Sequence, residues 1–204
     1  DVYKRQPIKV NQHTLIPRPE TETLVSWALE LALPAAAQVL DLGTGSGAIA
    51  LALASERPGW RVTGVDASEE ALAVARRNAV DLGLERVCFK SSDWYQEVAG
   101  QRFHLLVANP PYVDPVDPHL QQGDVRFEPR SALVAAQAGL ADLALLVAGA
   151  PARLHAGGWL LLEHGFDQGE SVRALLRQAG FARIATRTDL AGMERITGGC
   201  HGVE

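Results

Sequence analysis

Short apolar runs alternate with amphipathic stretches along most of this chain. Runs at 38–42, 61–65, 86–90, 103–108 and 159–162 are bounded by glycines, prolines or charged residues. Runs of this length read as strands buried on both faces. Between them the apolar spacing turns helical. Leu24, Val25, Ala28, Leu29, Leu31 and Ala32 mark a helix starting near Thr21 and ended by Pro34. A second helix is expected over 48–55. A third, over 69–82, carries Ala71, Leu72, Ala75, Ala79 and Leu82 on one side, Ser68 as its N-cap and Gly83 as its C-cap. Further helices are expected over 140–154 and 168–179, the last closed by Gly180. Strand–helix alternation of this kind builds a parallel sheet covered on both faces. The last two strands, 182–186 and 194–197, are joined by Asp189-Leu190-Ala191-Gly192. That join is too short for a helical crossover, so the pair must be antiparallel.

Length and composition narrow the class. The chain has 204 residues and 47% hydrophobic content, which suits a single α/β domain. Its net charge is −5, whereas a general nucleic-acid binder is usually basic. Cys88 and Cys200 stand without metal-ligand spacing. They read as free thiols of a reducing cytoplasm, and no metal is expected. No apolar run reaches the ~18 residues of a membrane span. Asp1-Val2-Tyr3-Lys4-Arg5-Gln6 lacks an initiator Met and periodicity, and resembles a translated sequencing adapter. Residues 1–6 are therefore expected to be a non-native leader and 7–204 the domain.

Candidate chemistry collects where strands end. Gly43-Thr44-Gly45-Ser46-Gly47 follows the first strand and opens a helix. Its glycines let the backbone approach a ligand, and the helix N-terminus presents free N–H groups. Asp66 ends the second strand, 23 residues after Gly43. That is near the ~20-residue offset at which a carboxylate meets ribose hydroxyls. Because Ser68 can cap the next helix, Asp66 is left for ligand work. After the third strand, Asp93 and Trp94 offer an acceptor for an exocyclic amine and a ring to pack on a purine. The fourth strand empties into Asn109-Pro110-Pro111-Tyr112. Two prolines stiffen this turn and remove backbone donors, leaving an amide, carbonyls and an aromatic face to grip a flat group bearing N–H donors. Residues 10–22 are held extended by Pro17 and Pro19, with Arg18 either a solvated linker residue or a polar lid. The irregular stretch 113–130, with His119, reads as a lid or binding loop.

The Asp41–Gly47 run with Asp66 resembles the first motifs of Rossmann-like S-adenosylmethionine methyltransferases. Asn109-Pro110-Pro111-Tyr112 resembles the motif of amide and exocyclic-amine N-methyltransferases. Arg18-Pro19-Glu20-Thr21-Glu22, Asp93-Trp94, Phe127-Glu128-Pro129-Arg130-Ser131-Ala132-Leu133 and Asp189-Leu190-Ala191-Gly192 are together similar to the peptide chain release factor glutamine methyltransferases, the PrmC or HemK family. The resemblance covers nearly everything after Gln6. It implies a class I fold with seven strands in the order 3-2-1-4-5-7-6, strand 7 antiparallel. It also implies transfer of a methyl group to the N5 amide of the glutamine in the Gly-Gly-Gln motif of a class I release factor, by a cytoplasmic monomer. The resemblance does not include the family's helical N-terminal domain, which is expected to be missing from this stretch. By position, Gly43, Thr44, Gly45, Ser46, Gly47, Asp66, Trp94 and Asn109 would contact S-adenosylmethionine, joined by Asp93. Asn109, Pro110, Pro111 and Tyr112, with Arg18, would meet the substrate, and Asn109, Pro110 and Tyr112 would carry the chemistry.

Rival readings remain. Ribosomal-protein glutamine methyltransferases share the Asn-Pro-Pro-Tyr element but are less similar over 17–22. An adenine N6-methyltransferase uses the same element, but needs a basic face and a base-flipping surface. A nicotinamide dehydrogenase accounts for the glycine loop and Asp66, not for Asn109 to Tyr112. A non-catalytic cofactor-binding module would be marked by a broken Asn-Pro-Pro-Tyr, and here it is intact.

Overall fold

The computed structural model describes residues 2–3, 6–11, 14–16, 18–111 and 139–202. Tyr112, His13, Pro17, His119 and the 113–130 loop lie outside the described residues. The main sheet has seven strands: β1 (Gln38–Leu42), β2 (Arg61–Asp66), β3 (Cys88–Ser91), β4 (Phe103–Ala108), β5 (Leu154–Glu163), β6 (Ala182–Thr188) and β7 (Glu194–Cys200). Their spatial order is β3-β2-β1-β4-β5-β7-β6. Every neighbour pair from β3 to β5 is parallel, while β7 runs antiparallel to both β5 and β6. Val2–Tyr3 and Gln6–Pro7 make a separate two-stranded pairing.

Among the described residues, five α-helices cover the sheet: α1 (Thr21–Glu30), α2 (Ala48–Glu56), α3 (Glu69–Asp81), α4 (Ala141–Gly149) and α5 (Gly169–Gln178). Alternation along each strand divides the core. In β1, Val39 joins one apolar cluster with α1, α2 and α3, while Leu40 and Leu42 join the other with α4 and α5. Helix α2 is buried from Ala48 through Ala54, so it reads as an apolar run rather than as an amphipathic stripe.

Several boundaries differ from expectation, and two of the differences have a clear local cause. The helix expected to reach Leu154 stops at Gly149, and a 3₁₀ turn, Pro151–Arg153, follows. Pro151 lacks the N–H that would continue the ladder. The chain is already strand at Leu154, which pairs with Phe103, with a register shift before Leu105. The third strand starts at Cys88 rather than residue 86, because Val87 N–H closes a turn onto the Leu84 carbonyl.

Candidate active site

The strand order reverses at β1, where the carboxyl ends of β1 and β4 diverge into a crevice. Ligands of open α/β sheets bind at such switch points. A cavity of about 410 Å³ lies there, within the usual size range of small-molecule sites. Its lining runs along four strand ends. Ser92, Asp93 and Trp94 follow β3, Asp66, Ala67 and Ser68 come from β2, Gly43 to Ser46 follow β1, and Asn109 and Pro111 follow β4. Three inter-strand spacings make roughly 14 Å. The cavity therefore suits an elongated ligand lying across the sheet edge.

Backbone chemistry shapes the β1 loop. Gly43 N–H and Thr44 N–H both donate to the Val65 carbonyl, at 2.9 and 2.9 Å, folding the loop over β2. Gly43 has φ +71°, and a Cβ there would come within 3.3 Å of the Trp94 ring. Gly47, at φ +81°, stands behind the cavity, where a Cβ would press on Ala75 and Phe89 at 3.1 Å. The loop's last glycine thus serves helix–strand packing.

Asp66 is engaged on both oxygens. Oδ2 accepts from Gly45 N–H at 2.8 Å and Oδ1 from Ser68 N–H at 2.9 Å. Ser68 still caps α3, its Oγ accepting from Ala71 N–H at 3.1 Å. A carboxylate offers about four acceptor positions, so two remain for a ligand. Trp94 sits in the left-handed region at φ +47°, which is rare for an aromatic residue. Ser92 fixes this turn: its hydroxyl donates to the Trp94 carbonyl and accepts from Glu97 N–H. Tyr95, beside it in sequence, points elsewhere. It is buried, and its hydroxyl donates to the Leu146 carbonyl in α4 at 2.8 Å. That bond anchors the helix carrying Asp142, which also lines the cavity. Burial and the nearby Asp93 carboxylate raise the Asp142 pKa, and the Trp94 side chain draws it partly back.

At the other end, Asn109 Nδ2 donates to Thr21 Oγ1 at 3.3 Å. Its Oδ1 is buried with no hydrogen-bond partner among the described residues. Pro110 is buried behind this residue, outside the lining. Arg18 does not line the cavity either; its carbonyl accepts from Thr21 N–H at the start of α1. Below the loop, Asp41 is fully buried. Its Oδ2 accepts from the Thr44 hydroxyl at 2.6 Å and from Ala50 N–H at 3.2 Å, and its Oδ1 has no partner among the described residues. Loss of hydration pushes its pKa up to about 7, against the pull of those two donors.

Thr14, Leu15, Thr21, Ile49 and Asp142 also line the cavity, without having been assigned there from sequence. Thr21 had a detectable signal, standing at a helix start within the similar motif. Thr14 and Asp142 had none, because tertiary packing alone brings them to the strand ends. Among the described residues no cluster of three or more His, Cys, Asp or Glu could hold a metal ion. None of their helices is long and apolar enough to cross a membrane.

A 3-2-1-4-5-7-6 sheet with one antiparallel strand, a glycine loop after β1 and a cavity across the β3-to-β4 edge define a Rossmann-like class I methyltransferase fold. A family model described as the methyltransferase small domain matches residues 21–124. A methyltransferase from Pyrococcus furiosus has the same fold at TM-score 0.72 and 17% identity, covering 96% of this chain and 89% of its own. The release factor glutamine methyltransferase of Pseudomonas aeruginosa is 58% identical over 190 residues, 93% of this chain and 69% of the relative. A release-factor-specific protein-(glutamine-N5) methyltransferase from Alicyclobacillus acidocaldarius is 29% identical at TM-score 0.56, covering 92% of this chain and 95% of that one. The chain belongs to the release factor glutamine methyltransferase family.

Proposed function

We propose that this chain transfers a methyl group from S-adenosylmethionine to the side-chain amide nitrogen of the glutamine in the Gly-Gly-Gln motif of a class I release factor. Family membership supports the reaction. The observation that carries the site assignment is Asn109: it lines the cavity, and its buried Oδ1 has no partner among the described residues. A buried acceptor left unsatisfied costs about 1–3 kcal/mol, so its retention calls for a donor that arrives with a ligand.

The cavity fits the cofactor in length and donor set. Asp93 and Trp94 would hold the purine, Asp66 the ribose, and the Gly43–Ser46 loop the amino-acid part. When bound, S-adenosylmethionine supplies an electrophilic sulfonium methyl. The protein's own task is the glutamine amide, whose lone pair is delocalised and weakly nucleophilic. Asn109 Oδ1 would accept one amide N–H in the cavity, and the Pro110 carbonyl, although Pro110 lies outside the lining, would accept the other once the substrate enters. Both bonds strengthen as that nitrogen becomes positive, so they favour the transition state over the ground state. Fixing both N–H groups also aims the nitrogen. Pro111 and Tyr112 would flank the amide plane, and Arg18 would contact the substrate protein outside the cavity. The proton can leave after transfer, so no side-chain base is required.

The acidic net charge favours a protein substrate over nucleic acid. We read the enzyme as cytoplasmic, since its substrate is a translation factor, and as a monomer. The test is incubation with radiolabelled S-adenosylmethionine and, in separate reactions, a release factor, a ribosomal protein and DNA. Label is expected on the release-factor glutamine. Label on the ribosomal protein or DNA instead would overturn the assignment.

A further inference from the structure

Asn78 lies on α3, away from the cavity lining, yet it is 1% exposed and makes three hydrogen bonds to backbone. Its Oδ1 accepts from Lys9 N–H at 2.9 Å. Its Nδ2 donates to the Lys9 carbonyl at 2.9 Å and to the Ser46 carbonyl at 2.9 Å. One amide thus joins two segments far apart in sequence. Ser46 belongs to the cofactor loop and lines the cavity. Lys9 belongs to the N-terminal strap. Next to it Ile8 is 1% exposed and packed in the core with α1, α2 and α3. Further along, Asn11 N–H donates to Thr14 Oγ1 at 3.1 Å, and Thr14 and Leu15 form another part of the cavity wall.

We propose that Asn78 is a positioning residue that sets these two walls, the strap and the cofactor loop, in register. The proposal rests on the cavity being the S-adenosylmethionine site. Only a carboxamide can do this at this place. Reading both the N–H and the carbonyl of Lys9 while also holding Ser46 takes one acceptor and two donors. An aspartate would lose both donors and bury a charge. The bonds of Asn78 reach no ligand themselves, so its effect falls on how well the cavity is formed before binding. Cofactor affinity should therefore change, while the amide-gripping Asn109 on β4 continues to work once the cofactor is bound.

The test compares the wild-type chain with Asn78→Ala by calorimetry with S-adenosylmethionine and by steady-state methylation of a release factor, well below each protein's Tm. Asn78→Ala is expected to weaken cofactor binding by about ten- to a hundredfold, the scale for loss of buried polar bonds. KM for the cofactor should rise with it, and kcat at saturating cofactor should stay within about threefold. Lys9→Pro removes the Lys9 N–H, and with it the Lys9–Asp81 ion pair, without substituting any residue of α3, and should shift affinity the same way. Asp81→Asn removes the exposed Lys9–Asp81 ion pair but none of the three bonds, and should leave affinity unchanged. If Asn78→Ala does not fold, Lys9→Pro decides. Cofactor affinity within about twofold of wild type, with only Tm lowered, would show Asn78 to be a structural residue and overturn the proposal. Failure of the wild-type chain to bind S-adenosylmethionine would instead overturn the reading of the cavity.

Discussion

The ends of β1 and β5 look alike in sequence, yet His164 after β5 is partnered differently from Asp41 and Asn109 at the β1 and β4 ends. Each is an apolar run that leads to an acid, one further residue and a glycine: Asp41-Leu42-Gly43 and Glu163-His164-Gly165. At β5, His164 is fully buried, and its Nδ1 lies 2.8 Å from the Gly165 carbonyl. Nδ1 must then carry the proton, so Nε2 accepts from the Thr197 hydroxyl at 2.7 Å. Thr197 in turn accepts from Thr186 at 2.9 Å, and Thr186 from Arg173 at 2.8 Å. Every link has a donor and an acceptor, and the chain ties β5, β7, β6 and α5 together. At the β1 and β4 ends, by contrast, Asp41 Oδ1 and Asn109 Oδ1 are buried without partners among the described residues. Completed polar networks give one fixed arrangement. Of these two open acceptors, Asn109 Oδ1 belongs to a cavity-lining residue and marks where a ligand completes it, whereas Asp41 Oδ1 lies below the loop, outside the lining.

Asn109→Ala strains this contrast most. If its open oxygen is functional, deletion should lower kcat for release-factor methylation by about 10²–10³-fold, the scale for one such transition-state contact. Thermal stability should hold or rise, since an unsatisfied group leaves. A kcat within about threefold of wild type would make Asn109 a structural residue.

The two clusters also predict opposite pH dependences. Asp41 has a folded pKa raised from 3.8 to about 7 by burial. The folded protein therefore holds that proton more tightly, and the resulting stability, present below pH 3.8, is lost as pH rises through about 7. The span corresponds to at most about 4 kcal/mol. Burial lowers the His164 pKa below its ordinary 6.5. Its contribution is present above pH 6.5 and is lost as pH falls through the folded value. Asp41→Asn should remove the first slope and keep the second, so that urea-unfolding stability rises more steeply from pH 5 to pH 8 than in wild type. An unchanged profile would mean that Asp41 is ionised throughout.

Thr197→Val tests the completed chain. It leaves His164 Nε2 and the Thr186 hydroxyl without their partner, and should cost about 1–3 kcal/mol in urea unfolding. Calorimetry should find S-adenosylmethionine affinity unchanged, because no member of the chain lines the cavity. A weakened cofactor affinity would mean that the two clusters are coupled through β5 and β4.

Sequence pattern alone specified β1 and β4 to the residue and β2 to within one, because short apolar runs ended at glycine, charge or proline. It also specified the antiparallel closing pair, through a join too short for any other connection. The helix before β5 was overextended because apolar residues recur up to Leu154, although Gly149 and Pro151 are the signals that stop it. That Asp66, Asp93, Trp94 and Asn109 would line one cavity was legible because a parallel sheet puts all carboxyl ends on one edge. Gly47 shows the limit: its place in a glycine loop suggested ligand contact, whereas its neighbours are Ala75, Phe89 and Leu51. Asn78 shows another, since a polar residue in an amphipathic helix looks solvent-facing until the Lys9 and Ser46 backbones are seen against it.

Thr21 offers the finest division between the two kinds of polar group, because it stands on both sides. It is 3% exposed, opens α1, lines the cavity and accepts from Asn109 Nδ2 at 3.3 Å. That bond constrains one end of the Asn109 amide while the other end stays open. A side-chain amide held at one end has fewer orientations to lose when substrate binds, so part of the transition-state contact is organised in advance. Thr21→Val keeps the shape and removes the hydroxyl. A neutral hydrogen bond contributes about 0.5–1.5 kcal/mol, which converts to a two- to tenfold fall in kcat. Thr21→Ser restores the hydroxyl without the methyl group and should restore kcat, whatever happens to stability. If valine and serine variants show equal kcat, the hydroxyl has no part in orienting Asn109, and the open oxygen is held by the rigid Pro110-Pro111 backbone alone.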